Sequence, residues 1–330
     1  MKIVFDNIVF SLQKSGGISV VWKELLSRFV AEGKDELCFI EHPTDLNNQF
    51  RRGIELKGRV ITKSSQLFAI ERYINPRISK GEPFIFHSSY FRTCASKNAV
   101  NITTVHDFTY DYFYKGKRRG AFLHLWQRNR AIRNADAVVC ISENTKQDVL
   151  RAYPWLDEDK IHVVYNGVSD IFHPMPSVQK QGYLLYMGNS KATYKRYDVA
   201  QEVARLTGLP LVTASGVTAE QLNRYYNEAL CLIYPSDYEG FGLPILEAQK
   251  AGCPVIAQRA SSIPEVIGDG GWLVAHDTPQ RMAAEMADVV RQIQSQPVQD
   301  VVKKGMENAK RFSWNNTYQQ TKQVYKRLMQ

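Results

Sequence analysis

A chain of 330 residues, 44% hydrophobic and 11% aromatic, is long enough to bury the cores of two domains. Its formal net charge of +9 calls for an anionic partner; no RNP aromatic sheet, zinc finger or KH loop is present, which excludes nucleic acid and leaves a phosphorylated substrate or an anionic membrane surface. No apolar run approaches the ~18 residues of a membrane span, MKIVFDNIVFSL is too short for a signal peptide, and five cysteines without a C-x-x-C pair argue against a disulfide framework, so a cytoplasmic chain is expected.

Lys2–Asp6 is a short apolar strand. The loop after it carries Gly16 and Gly17 ahead of an amphipathic helix over Val20–Phe29, an arrangement that suits an anion but is not G-x-G-x-x-G. Strands are expected at Leu37–Glu41, Arg59–Thr62, Phe84–His87, Val100–Val105 and Ala137–Ser142, alternating with helical or loop segments. Such alternation predicts a parallel sheet covered on both faces. His106 and Asp107 then stand at the carboxyl edge of that sheet, and His87 stands at the end of its own strand. Phe108, Tyr110, Tyr112, Phe113 and Tyr114 lead into Lys115, Lys117, Arg118 and Arg119, then Phe122, Leu125 and Trp126. This mixture suits an anionic membrane interface, a lipid pyrophosphate acceptor, or an aromatic core stripe beside a charged loop. Arg128, Arg130 and Arg133 are expected on the wet face of a helix.

Asp157-x-Asp159 lies in an acidic turn before the strand Ile161–Tyr165 and is expected to be solvated, so no metal site is expected. Met175–Gln181 is polar and contains proline, as a linker would. Beyond it, Tyr183–Met187 opens a second sheet. The following loop holds Asn189, Lys191, Lys195 and Arg196 ahead of a helix over Asp198–Leu206. Basic groups at a strand's carboxyl end can clamp a diphosphate. Leu209–Ala214, the helix Gln221–Ala229 and the strand Leu230–Tyr234 follow, and then the stretch EGFGLPILEAQKAGCPVIA. Pro244 belongs in the first turn of a helix that ends at Ala251-Gly252, and Pro254–Ala257 is a further strand. The N–H groups of Phe241, Gly242 and Leu243 meet a helix start, which suits a phosphate. Glu239 and Glu247 would repel that phosphate, so they are expected to accept hydrogen bonds from hydroxyls. Phosphate and hydroxyls together point to a nucleotide sugar.

Glu239-Gly-Phe-Gly-Leu-Pro through Glu247 resembles the E-x7-E motif of the retaining glycosyltransferases of family 4. Phe172-His-Pro174 after Asn166-Gly167-Val168, the Ser261–Val266 segment and the closing helix Thr317–Met329 are similar to that family as well. The resemblance implies an α/β chain of GT-B fold: two Rossmann-like domains, 1–174 and 182–312, facing across a cleft, with 313–330 crossing back to the first. It implies a nucleoside-diphosphate hexose as donor, with ribose hydroxyls on Glu247, sugar hydroxyls on Glu239 and His106, and the diphosphate on Lys195 and the N–H groups near Gly242. The backbone at Gly16 and Gly17 would approach the donor phosphate or the acceptor, and His87 and Asp107 would serve a glycan or lipid-linked oligosaccharide acceptor. Asn189 stands where the family carries arginine, leaving Lys191 or Arg196 to supply the missing charge. No cofactor is expected. The family's work implies lipopolysaccharide or other surface polysaccharide synthesis at the inner face of a membrane. The competing expectations are a nucleotide-sugar-binding protein without turnover and a two-carboxylate glycoside hydrolase.

Overall fold

The computed structural model describes residues 1–63, 68–78, 81–116 and 120–330. Lys117, Arg118 and Arg119, the centre of the basic cluster expected from the sequence, lie outside the described residues. The chain divides into two compact units, Met1–Gly167 with Trp314–Gln330 and Val168–Ser313.

The first unit carries β1 (Lys2–Asp6), β2 (Glu36–Glu41), β3 (Arg59–Thr62), β4 (Phe84–Ser88), β5 (Ala99–Val105), β6 (Ala137–Cys140) and β7 (Ile161–Val163). They form one sheet in the order β3-β2-β1-β4-β5-β6-β7, with every pairing parallel. Central strands such as Phe84–Ser88 are buried at every position because helices cover both faces. The helices are α1 (Val9–Leu12), α2 (Gly17–Glu32), α3 (Phe68–Glu71), α4 (Ala121–Arg133) and α5 (Glu143–Ala152). Ser142, expected at the end of a strand, instead caps α5 by accepting the N–H of Thr145.

The second unit contributes β8 (Leu184–Tyr186), α6 (Tyr197–Thr207), β9 (Leu211–Thr213), α7 (Ala219–Glu228), β10 (Cys231–Tyr234), α8 (Leu243–Lys250), β11 (Val255–Gln258), α9 (Ile263–Ile267), β12 (Trp272–Val274), α10 (Pro279–Ser295) and α11 (Gln299–Ala309). Its strands run in the order β12-β11-β10-β8-β9, again all parallel. The strand β12 has only three residues and only its last is fully buried, so it carries no apolar run long enough to read from sequence.

The division falls after Gly167, ahead of the 175–181 stretch expected as a linker. Residues beyond Val168 are tied to α7: Asn223 accepts the N–H of His173 at 3.0 Å, Asn227 accepts that of Met175 at 2.6 Å, and Phe172 packs edge-on to Tyr226 with centroids 5.9 Å apart. The 175–181 stretch ends with the Gln181 N–H bonded to the Glu228 carbonyl at 2.8 Å. The first expected domain, 1–174, therefore overreaches its sheet.

The last helix, α12 (Trp314–Leu328), belongs to the first unit. Tyr318 and Tyr325 sit on Phe29 of α2, with centroids 4.8 and 5.6 Å away. Lys322 pairs with Glu32 and lies 3.2 Å from Asp35. Beneath the helix, His87 bonds the Tyr325 hydroxyl through Nδ1 and the Thr104 hydroxyl through Nε2, the latter at 2.8 Å. The expectation that His87 serves an acceptor is thereby corrected: the ring is buried and both nitrogens are committed to the fold.

Of the arginines of α4, Arg133 is exposed as expected, whereas Arg128 and Arg130 are not on the wet face. Arg128 is buried, forks onto Asp111 (Nη2 at 2.7 Å from Oδ1) and lies 4.2 Å above the Phe108 ring. Arg130 donates to the Asn75 side chain at 3.0 Å and lies 4.4 Å over Trp126, and Arg133 lies 5.7 Å from the Trp155 ring centroid. Part of the aromatic stretch is thus a core stripe around a buried cation.

Tyr325→Phe should leave His87 Nδ1 buried without a partner and cost about 1–3 kcal/mol in urea unfolding. Burial lowers the His87 pKa from 6.5 to about 3. An unfolded chain takes up a proton that the folded ring refuses, so stability present above pH 6.5 should fall as pH drops from there toward 3.

Candidate functional site

In the second unit the strand order itself creates the site. β8 and β10 are parallel neighbours, while their following connections lead outward, to β9 on one side and β11 on the other. The loops after β8 and β10 therefore face one another at the carboxyl edge, where open α/β sheets take ligands. The first loop brings Asn189, Lys191, Lys195 and Arg196; the second brings Asp237, Glu239, Phe241, Gly242 and Leu243.

Lys195 Nζ lies 2.5 Å from Glu239 Oε1, and the two side chains are 17% and 11% exposed. Lys195 and Glu239, assigned from sequence to diphosphate and sugar, are thus paired with each other. Arg196 is similarly engaged, with Nε 3.2 Å from Asp237 Oδ2 and a second carboxylate, Asp198, 3.9 Å away. It also sits in the left-handed region at φ 51°, where it caps α6. Arg196, expected as a spare diphosphate cation, is thus paired with a carboxylate, as Lys195 is. Asn189 is exposed and accepts the Lys191 N–H at 3.0 Å, shaping its own turn. Lys191 is exposed on that turn.

The 239–242 loop is held from below by the residues after β11. Ser261 Oγ accepts the Glu239 N–H at 2.8 Å, and Ser262 Oγ lies 2.9 Å from the carbonyl oxygens of both Glu239 and Phe241. The Phe241 ring is buried against Phe312, centroids 5.8 Å apart. Gly242 takes φ 106°, a value that excludes side-chain-bearing residues, and there starts α8 with Pro244 in its first turn. The N–H groups of Gly242 and Leu243 have no protein acceptor among the described residues. With the helix start they form a corner whose free donors are of the kind that suits an anion.

Glu247 lies on α8, where its Oε2 accepts the Tyr226 hydroxyl at 2.9 Å. Burial raises its pKa from 4.5 to about 7, with the Tyr226 bond opposing. Burial first, and Glu239 beside it second, push the Tyr234 phenol well above its usual range. Tyr226 and Tyr234 were not singled out from sequence as site residues, and Ser261 and Ser262 only as part of a segment that resembles one flanking the family's donor pocket. The available signal was the pair of hydroxyls directly after a strand, which topology then places beside the glutamate loop.

In the first unit, His106 follows β5, and burial lowers its pKa from 6.5 to about 4, so the ring is neutral at neutral pH. It lines a narrow, mainly apolar pocket with Ile18 and Val21 of α2, Thr104 and Asn166. The Asn166 side-chain oxygen is buried there without a partner. Gly16 precedes α2 and Gly17 begins it, with open space beside the Gly17 Cα. Asp107 turns back to accept the Thr109 N–H at 2.9 Å. Asp157 does the same for Asp159 N–H at 3.1 Å, and among the described residues no group of three or more His, Cys, Asp or Glu side chains is placed to hold a metal.

Two family models match in tandem: Glycosyltransferase Family 4 over residues 15–170 and Glycosyl transferases group 1 over 160–292. The chain belongs to the family 4 type of glycosyltransferase. It is 27% identical to the O-antigen chain mannosyltransferase B of Escherichia coli, an alignment spanning 99% of this chain and 100% of that one. The alpha-maltose-1-phosphate synthase of Mycolicibacterium smegmatis is 26% identical over 62% of this chain and 66% of its own. Among solved structures, sucrose-phosphate synthase from Thermosynechococcus elongatus superposes with a TM-score of 0.75 at 18% identity, covering 99% of each chain. Anabaena HepE in complex with UDP-glucose superposes with a TM-score of 0.66 at 15% identity, also over 99% of each chain. The glycosyltransferase therefore has the GT-B fold, built here from its seven- and five-stranded parallel sheets.

Because the folded Glu247 carboxyl holds its proton up to about pH 7 while the unfolded chain releases it near 4.5, the native state binds more protons across that window. Stability should fall as pH rises through it. Glu247→Gln, which keeps an acceptor for Tyr226, should raise stability by about 3 kcal/mol at pH 8 and by almost nothing at pH 4 in chemical denaturation.

Proposed function

We propose that this glycosyltransferase moves a hexosyl group from a nucleoside-diphosphate sugar to a glycan or lipid-linked glycan, with retention of configuration and without a metal. The observation that carries the proposal is the meeting of the β8 and β10 loops, which sets Lys195 and Glu239 in one place ahead of the unpartnered N–H groups of Gly242 and Leu243. A diphosphate fits the N–H corner and Lys195, ribose hydroxyls fit Glu247, and the sugar hydroxyls fit Glu239. Lys195 then supplies the positive charge that stabilises the leaving diphosphate. With retention, the acceptor hydroxyl attacks from the face the diphosphate leaves, and the departing phosphate oxygen takes its proton. Neutral His106 is suited to hydrogen-bond a sugar hydroxyl without adding charge. With Arg196 engaged by Asp237 and Asn189 uncharged, Lys195 is the principal cation for the diphosphate, and exposed Lys191 is the second.

The full-length similarity to an O-antigen chain mannosyltransferase supports surface polysaccharide synthesis as the process. A site at an anionic membrane is favoured by α4. There Phe122, Leu123 and Trp126 are 76%, 44% and 42% exposed, and in the sequence they follow the basic residues Lys115, Lys117, Arg118 and Arg119 by a few positions. Among the described residues no helix is long and apolar enough to cross a membrane, so attachment of this kind would be peripheral.

Thermal melting with UDP-, GDP- and ADP-sugars tests the donor. A ligand at 100 times its Kd should add about 2.7 kcal/mol, and one nucleotide should stand out, with the shift lost in Glu247→Ala. Release of free nucleoside diphosphate upon adding acceptor would establish turnover; binding with no release under any acceptor would leave a sugar-nucleotide-binding protein instead. For the membrane, the wild type should sediment with phosphatidylglycerol vesicles at low salt. Phe122→Ser with Trp126→Ser should remain in the supernatant, and equal sedimentation of both proteins would refute attachment through α4.

A further inference from the structure

We propose that the Lys195–Glu239 pair makes the donor site discriminate intact nucleotide sugar from the free nucleoside diphosphate, because only the sugar can replace the lysine on Glu239. The inference rests on the donor site proposed above and assigns it a specificity device.

Both ends of the pair are fixed by other contacts. The Lys195 carbonyl accepts the Tyr186 hydroxyl at 3.2 Å, at the end of a short 3-10 turn. Glu239 is held through its N–H by Ser261 and through its carbonyl by Ser262. Lys195 Nζ also lies 5.4 Å from the Tyr194 ring centroid and 5.9 Å from that of Tyr234, so aromatic faces replace much of its hydration. In this setting a charge pair is poorly screened, and removing one partner strands the other.

Among the cations of the loop after β8, Lys191 is exposed on its turn, which leaves Lys195 as the largely buried one beside the glutamate loop. Arg196 is held by Asp237, and Asn189 is neutral. A diphosphate arriving at the Gly242 corner must therefore draw on Lys195, and Glu239 then loses its counter-charge. An intact donor compensates, since its sugar brings hydroxyl donors to the carboxylate. The free nucleoside diphosphate brings none, and its binding leaves Glu239 buried without a counter-charge, with only the Tyr234 hydroxyl against it. The same asymmetry acts after transfer: once the sugar has moved to the acceptor, Glu239 takes Lys195 back and the spent nucleotide is displaced. Product release is a frequent limit on turnover, so such a return stroke has a catalytic consequence.

The experiment uses the full chain and the nucleotide that stands out in the donor panel, with affinities from isothermal titration calorimetry. Wild type should bind the intact nucleotide sugar at least fivefold tighter than the matching nucleoside diphosphate. Glu239→Gln, which keeps the size of the side chain but releases the lysine, should bind the nucleoside diphosphate at least fivefold tighter than wild type does, while gaining nothing for the intact donor. In a Lys195→Met background, adding Glu239→Gln should produce no such gain, since the two residues act as a unit. A wild type that binds the nucleoside diphosphate as tightly as the donor overturns the proposal without requiring any variant to fold. Unchanged or weaker nucleoside diphosphate binding by folded Glu239→Gln overturns it as well. A wild type that binds neither form of any nucleotide refutes the donor site itself, and the discrimination falls with it.

Discussion

Every strand in both units pairs in parallel, and that one constraint decides where chemistry can be placed. Parallel neighbours need a crossover between them, so each loop that leaves a strand's carboxyl end emerges at the same edge as all the others. In the second unit the order β12-β11-β10-β8-β9 turns the crossovers after β8 and β10 away from each other. A gap opens between those two loops and is filled by side chains from both. Lys195 and Glu239 meet across it although they are far apart in sequence.

The charges at that gap are neutralised in pairs. Lys195 faces Glu239, and Arg196 faces Asp237. Partly buried ions of one sign would be costly, and the fold avoids that cost by setting the two cations of the β8 loop against the two carboxylates of the β10 loop. What stays without a protein partner is the polar backbone at the start of α8, where the N–H groups of Gly242 and Leu243 point away from any acceptor in the described chain. The seryl hydroxyls beneath the loop hold it in this shape without adding charge. Rigidity of this kind would serve the proposed donor site, since a phosphate corner that must reorganise before binding forfeits part of its electrostatic benefit.

The first unit shows the opposite treatment of polar groups. His87 and Arg128 are absorbed into the interior: the histidine bridges β4, β5 and α12, and the arginine is wrapped by Asp111, Phe108 and Tyr153. Closing helix and sheet are thereby joined by a hydrogen-bonded ring as well as by the Phe29, Tyr318 and Tyr325 cluster. His106 and Asn166, one strand-end pair further along the sheet, keep polar atoms facing the same small pocket. Residue types that look alike in a linear reading thus divide into framework and site by their depth alone.

Much of this was legible in the sequence. Apolar runs of strand length marked eleven of the strands, and the glycines and prolines around EGFGLP marked the start and end of α8, because backbone conformation is restricted locally at those residues. The glutamate pair and the basic loop before α6 were visible as composition. Tertiary structure decided everything that depends on which strands are neighbours: that Lys195 lies on Glu239, that Arg196 is engaged by Asp237, that Ser261 and Ser262 hold the glutamate loop, and that His87 faces Tyr325. It also decided burial, and with it the neutral state of His106 and the raised pKa of Glu247. Local sequence restricts dihedral angles over a few residues, whereas charge pairing and desolvation are set by groups that only the packed sheet brings together.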